Sequence, residues 1–202
     1  MPASSPRLIL ASRSPRRRDL LAQLGVTVTV RPADIDETPR VDEDPVGYVE
    51  RMATEKAMAV DLPDSACALA ADTVVLLDGD VLGKPETRER AQQTLGRLSG
   101  RTHSVHTAVA LRSDNALHLV RVETRVSFRS LSSSECDCYL DSGEAWDKAG
   151  AYAIQGLGGA FVERIEGSYS NVVGLPLSET LALLRQAGIA TGLDPQKGVA
   201  EA

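Results

Sequence analysis

Residues Ala66 to Leu77 (ACALAADTVVLL) constrain the fold of this chain most, because a single carboxylate, Asp72, stands inside a run otherwise suited to a buried strand. A buried carboxylate needs a cation, a hydrogen-bond network or a catalytic reason to be there. On the residue alone, an Asp that caps a turn at a strand end is the alternative. Thr73 beside it can donate or accept a hydrogen bond. Asp78-Gly79, between two apolar runs, signals a hairpin turn, beyond which Lys84 of LGKP is able to fold back toward Asp72. Lys56, in the helical ATEKA segment, is a second lysine that can face a cleft.

Around this strand the pattern alternates. Arg7 to Ala11 predicts a buried strand that leads into a helix with Ser14 at its N-cap, Pro15 at its first position and Gly25 as its stop. Val26 to Val30 alternates as a strand, and a second helix is expected from Asp44-Pro45 through Arg51, Lys56 and Val60. A third helix spans about Thr87 to Leu98, and His103–Leu111 and Leu117–Phe128 read as long paired strands. A helix from Ser132 to Leu140, a glycine-rich segment from Gly143 to Gly159, a strand from Ala160 to Ile165 and a helix from Leu177 to Gln186 follow. The expectation is one α/β (mixed α+β) domain over residues 1–190, with a mixed sheet in two lobes around a cleft and a tail that frays after Gly188.

The sequence LASRSPRRRDLL places a strand end, a tight turn opened by Ser12 and a helix N-terminus in succession, with Arg13, Arg16, Arg17 and Arg18 gathered there. Free backbone N–H groups, the helix dipole and forked guanidinium donors all favour a phosphate at such a place. Any single arginine here can also be a solvated helix face. Asp34, Asp36 and Glu37 follow a strand, where carboxylates opposite a triphosphate suit Mg²⁺, although an acidic loop is also ordinary surface. Further on, DKAGAYAIQG and GSYSNVVGLP are rich in glycine; Tyr152 is placed to pack on a base and Gln155 to read one by hydrogen bonds.

A formal net charge of −6 argues against a non-specific nucleic-acid binder. Three cysteines provide no disulfide framework, and neither a membrane span nor a signal peptide is evident, so the cytoplasm is expected. No GxxxxGK[ST], HExxH or GxSxG pattern occurs. His103 and His106 are three apart in a strand and would face opposite sides, which disfavours a zinc pair.

Taken in order, LASRSPRR, DIDE, the EKA segment, AADTVV, LGKP, LSGRTHSVHTAVAL, DKAGAYAIQG and GSYSNVVGLP resemble the Maf family of nucleotide pyrophosphatases, over nearly the whole chain from Leu8 to about Gly188. The resemblance implies an α/β fold with a cleft, a divalent cation (Mg²⁺ or Mn²⁺) and cleavage between the α- and β-phosphates. It places the proton-accepting aspartate on Asp72 and the positions tied to substrate choice on Arg16, Thr73 and Gln155. The DKAGAY-x-IQG form is similar to the branch acting on dTTP and UTP. On this footing Ser12, Arg16 and Arg17 hold the phosphates, Glu37 and Asp72 hold the metal, and Lys56 and Lys84 offset charge on the phosphoryl oxygens. The expected partner is a nucleotide, with no nucleic acid or membrane, and a homodimer is the default assembly. A purine or 7-methyl-GTP pyrophosphatase of the same fold, or a nucleotide-binding regulator of cell division, remain the alternatives.

Overall fold

The computed structural model of the protein describes residues 6–195. Seven strands form one mixed sheet in the order β2-β1-β3-β5-β6-β7, and β4 pairs with β3 outside this path. The strands are β1 (Arg7–Leu10), β2 (Val28–Val30), β3 (Ala66–Leu77), β4 (Asp80–Val81), β5 (Thr102–Arg112), β6 (Leu117–Phe128) and β7 (Val162–Glu166). The helices are α1 (Pro15–Gln23), α2 (Pro45–Met58), α3 (Arg88–Leu98), α4 (Ser133–Asp141), α5 (Tyr169–Val173) and α6 (Leu177–Gln186). β1 runs parallel to β2 and β3, whereas β3, β5, β6 and β7 pair antiparallel in succession.

Alternation along β3 sorts the core. Cys67, Leu69 and Ala71 pack with Leu20 and Leu21 of α1 and Leu183 and Leu184 of α6. Further along the same face, Val75 and Leu77 join Leu95 of α3 and Tyr139 and Leu140 of α4 in a second cluster. The opposite face carries Ala66, Ala68, Ala70 and Val74 under Val49, Ala53 and Ala57 of α2. Small side chains on both surfaces let α2 lie close to the sheet and hold it firmly, since interiors pack without voids. The two lobes foreseen in the sequence are thus two apolar clusters at the two ends of β3, and Thr73 sits between them.

The edge of β3 that faces β1 is interrupted at the same level. β1 ends where Leu10 pairs with Leu69, closed by a 2.8 Å bond from Ala11 N–H to the Leu69 carbonyl. β4 pairs with β3 only from Leu76 onward, next to the Leu82 N–H to Val75 carbonyl bond. Between these points Ala70–Val74 have no strand neighbour on that side among the described residues, and a strand gap of this kind is where a ligand can reach the backbone and both faces of a sheet.

Several expectations shift in detail. Ser14 occupies the N-cap of α1 but makes no side-chain cap bond; Ser12 Oγ instead accepts the Ser14 N–H at 3.1 Å. The second strand is only Val28–Val30, because Val26 is drawn into the core behind Gly25. Gly25 has φ +71, and a Cβ there would stand 2.9 Å from Gly192 N, so the stop of α1 also leaves room for the chain's far end. That end was expected to fray after Gly188, yet Gly192 N–H bonds the Leu24 carbonyl at 2.7 Å and Asp194 pairs with Arg185 at 2.9 Å. Residues 196–202 lie outside the described part. The short helix α5 was not foreseen; Ser168 caps it by accepting the Asn171 N–H, which a glycine-rich reading of GSYSNVVG overlooked. His103 and His106 do face opposite ways, bonded to Tyr152 Oη at 2.9 Å and to Ser104 Oγ at 3.0 Å.

Leu69 is fully buried in the central strand. Leu69→Ala is expected to lower stability by about 2–5 kcal/mol in urea unfolding, and a loss below about 1 kcal/mol would contradict this packing.

Candidate active site

Asp72 and Thr73 occupy the interrupted stretch of β3, and as neighbours in a strand they point to opposite faces. Asp72 turns toward α2, where Lys56 Nζ lies 2.8 Å from its Oδ1. The same ammonium lies 3.0 Å from Glu37 Oε2, so one lysine ties two carboxylates together. Lys56 and Asp72 side chains are only 11% and 13% exposed, whereas Glu37 is 55% exposed, which sets the pair at the floor and Glu37 at the lip. A nearly buried ion pair of this kind is costly to desolvate, so the geometry has to be good and removal of one partner leaves the other stranded.

Thr73 turns the other way, toward α1. Its Oγ1 accepts a bond from Arg17 Nη2 at 3.1 Å and lies 2.9 Å from Thr107 Oγ1. Arg17 also donates from Nε to the Gly174 carbonyl at 2.9 Å and from Nη1 to Ser12 Oγ at 3.3 Å. Burial pulls the Arg17 pKa below its ordinary value, and Asp72 opposes this while Arg16 adds to it. Arg17 is thus a built-in part of the cleft wall and not a solvated helix face. Arg18 is the solvated one, exposed and turned to Asp19 at 3.2 Å.

The two halves meet in one cleft of about 490 Å³, which Ser12, Arg16, Arg17, Glu37, Lys56, Asp72, Thr73, Lys84 and Gln155 all line. The nine residues to which the resemblance assigns a role at the phosphates, the metal or the base therefore border the same space. Arg16 is half-buried and pairs with Asp147 at 3.3 Å, Lys84 has no ion-pair partner among the described residues, and Gln155 is exposed at the rim. Of the acidic set, Asp34 and Glu37 border the cleft, but Asp36 is spent outside it on the Thr38 N–H at 2.9 Å. Tyr152 reaches the wall, yet it is 5% exposed, bonded to His103 and packed 4.8 Å from the Phe128 ring, so it is core before it is a platform for a base.

Two residues that support this site escaped the sequence reading. Arg51 of α2 gathers the acidic loop, donating to the Thr38 carbonyl at 3.2 Å and to both Glu43 oxygens at 2.5 and 2.6 Å. Tyr48, one turn earlier, donates to the Glu37 carbonyl at 2.9 Å. Its hydroxyl pKa rises to about 12 through burial and the nearby Asp72 and Glu37 charges. The only signal in the sequence was a helix carrying Tyr and Arg three positions apart right after a run of acids, and that fits an ordinary surface helix equally well.

Set against known proteins, the family described as "Maf-like protein" matches residues 7–187. The chain belongs to the Maf family. Its relatives include a protein of Myxococcus xanthus (strain DK1622) named dTTP/UTP pyrophosphatase, 57% identical, with 94% of this chain and 96% of the relative covered. A protein of the same name from Anaeromyxobacter dehalogenans (strain 2CP-1 / ATCC BAA-258) is 54% identical over 91% of this chain and 95% of its own. Among solved structures, a HAM1 protein from Coxiella burnetii superimposes with a TM-score of 0.50 at 20% identity, covering 90% of this chain and 99% of that one. That likeness extends the Maf fold seen here to a wider architecture. No helix among the described residues is long and apolar enough to cross a membrane.

Hydrogen bonds from Arg51 hold the Glu43 carboxyl at about 2, well below its ordinary 4.5, against the opposing effect of burial. A depressed carboxylate stabilises the fold above its unfolded pKa and loses that contribution as pH falls through the folded one. The stability difference between wild type and Glu43→Gln is therefore expected to be full near neutral pH and to shrink as pH drops from 4.5 toward 2 in thermal melts. A difference that stays constant across this window would contradict the Arg51 clasp.

Proposed function

We propose that this Maf-family chain hydrolyses dTTP and UTP to the monophosphate and pyrophosphate. The observation that carries the proposal is the convergence of Arg17 and Asp72 on one cleft from opposite faces of the sheet. Charge supports it as well. The chain is net −6, yet the cleft is lined by six cations (Arg13, Arg16, Arg17, Lys56, Lys84, Lys148) against four anions (Asp34, Glu37, Asp72, Asp147). An acidic protein with one locally cationic cleft draws in a polyanion of small size. The choice of dTTP and UTP follows the names of relatives that are 57% and 54% identical over nearly the full chain.

In this reading Arg16, Arg17 and Ser12 hold the phosphates where the α1 N-terminus adds its dipole. Asp72 spends Oδ1 on Lys56 and has no hydrogen bond on Oδ2 among the described residues, and in this reading Oδ2 accepts a proton from water attacking the α-phosphorus. Lys56 orients Asp72, and Lys84 offsets charge on the departing pyrophosphate. Gln155, at the rim, presents donor and acceptor to the base.

A divalent cation suits the donor set. Glu37 and Asp72 each give one oxygen to Lys56 and retain the other, and Mg²⁺ is ordinarily held by one or two carboxylates with phosphate oxygens and waters. Among the described residues no group of three or more His, Cys, Asp or Glu is placed to hold a metal. Glu37 and Asp72 would hold Mg²⁺ or Mn²⁺, which when bound neutralises charge on the phosphates. The three free cysteines support the cytoplasm as the place of action.

Purified protein supplied with dTTP, UTP and GTP in turn should release pyrophosphate and not orthophosphate from the pyrimidine nucleotides, and should stop on chelation; release of orthophosphate alone would sink the proposal. Asp72→Asn should lower turnover by about 10³-fold with the thermal midpoint nearly kept, since positioned charge and proton transfer supply that much. Gln155→Ala should change the ratio of rates for UTP and GTP, and an unaltered ratio would remove Gln155 from base recognition.

A further inference from the structure

The hydroxyl of Thr73 borders the cleft, and its neighbours decide what it is able to do. Thr107 is fully buried and donates its only hydroxyl hydrogen to the Asn171 carbonyl at 3.0 Å. Its oxygen, 2.9 Å from Thr73 Oγ1, is therefore left to accept, and Thr73 must donate to it. Thr73 Oγ1 in turn accepts from Arg17 Nη2 at 3.1 Å. The polarity of the whole chain is settled: Arg17 to Thr73 to Thr107 to the Asn171 carbonyl. Asn171 itself is locked, because its two amide hydrogens go to the Val105 carbonyl and Thr124 Oγ1, both at 3.0 Å.

Ser12 is the opposite case. Its oxygen accepts from the Ser14 N–H at 3.1 Å and from Arg17 Nη1 at 3.3 Å, so its own hydrogen remains to be donated. Arg17 has five N–H donors, of which Gly174, Ser12 and Thr73 take three, leaving one hydrogen on each Nη.

We infer that Thr107, anchored on the Asn171 carbonyl, is a positioning residue of this site: it takes up the Thr73 hydrogen, and Thr73 thereby holds Arg17 so that its two spare hydrogens and the Ser12 hydroxyl hydrogen form the phosphate cradle. Thr73 then influences substrate handling through Arg17 and not by donating to the nucleotide. The inference rests on the proposed function for its readout in turnover, but its geometric core does not.

The test compares Thr107→Val, Thr107→Ser and Thr73→Val, singly and with Thr73→Val and Thr107→Val combined. Thr107→Val should lower kcat/KM for dTTP by about tenfold, the effect of one lost hydrogen bond in a buried chain, while Thr107→Ser stays within about threefold of wild type. The double variant should be no worse than Thr73→Val alone, because both act through the same guanidinium. Independently of turnover, hydrogen exchange of the Arg17 Nε–H, followed by NMR, should speed up in Thr107→Val and not in Thr107→Ser. If Thr107→Val does not fold, Thr107→Ala takes its place. Unchanged Nε–H exchange in the variant, equal losses for Ser and Val, or losses that multiply in the double variant would overturn the inference. Wild-type protein inactive on dTTP and UTP would instead refute the proposed function, with the exchange measurement still deciding the role of Thr107.

Discussion

The ion pair between Lys56 and Asp72, 2.8 Å long and nearly closed to solvent, is the contact on which the architecture of the site depends. It exists because α2 lies close over an alanine-lined face of the sheet, which brings a helical lysine down to a strand carboxylate. The second carboxylate, Glu37, is recruited by the same ammonium. Without that shared cation, Asp72 would be left unpaired at the floor with the Glu37 charge above it.

From this contact the rest follows by strand geometry. Asp72 and Thr73 are adjacent, so they serve opposite faces, and the break between β1 and β4 opens both faces to a single space. A parallel unit supplies the α1 N-terminus with its arginines, and the opposite wall contains Val105 of β5 with Tyr152 and Gln155. The hydrogen-bond chain from Arg17 through Thr73 and Thr107 to the Asn171 carbonyl links α1 to the antiparallel half of the sheet.

Much of this was legible in the residues. β3 and the β5–β6 hairpin carried long apolar or alternating runs, and Asp72 announced itself as the odd member of its strand. The turn before α1 and its arginine cluster stood out because backbone donors and guanidinium groups coincide there, and both border the cleft. What escaped depended on contacts across the chain. Arg51 and Tyr48 matter only because the loop at Glu37 folds back on α2, and nothing local in their sequence distinguishes them from a solvated helix face. The helix α5 is five residues long, too short to show a period, and its capping Ser168 was lost among glycines. The anchoring of Asp194 to Arg185 and of Gly192 to Leu24 is tertiary in the same sense.

The central claim is that one triphosphate spans from the Arg17 guanidinium to the Asp72 carboxylate. Determining the structure of the protein with a dTTP analogue bridged by a methylene group between the α- and β-phosphorus tests it most directly. The account predicts the phosphates against Ser12 and Arg17, with the α-phosphate facing Asp72 across the gap in the sheet edge. Phosphates seated away from this cleft, or in contact with Arg17 while the α-phosphate lies out of reach of Asp72, would contradict it.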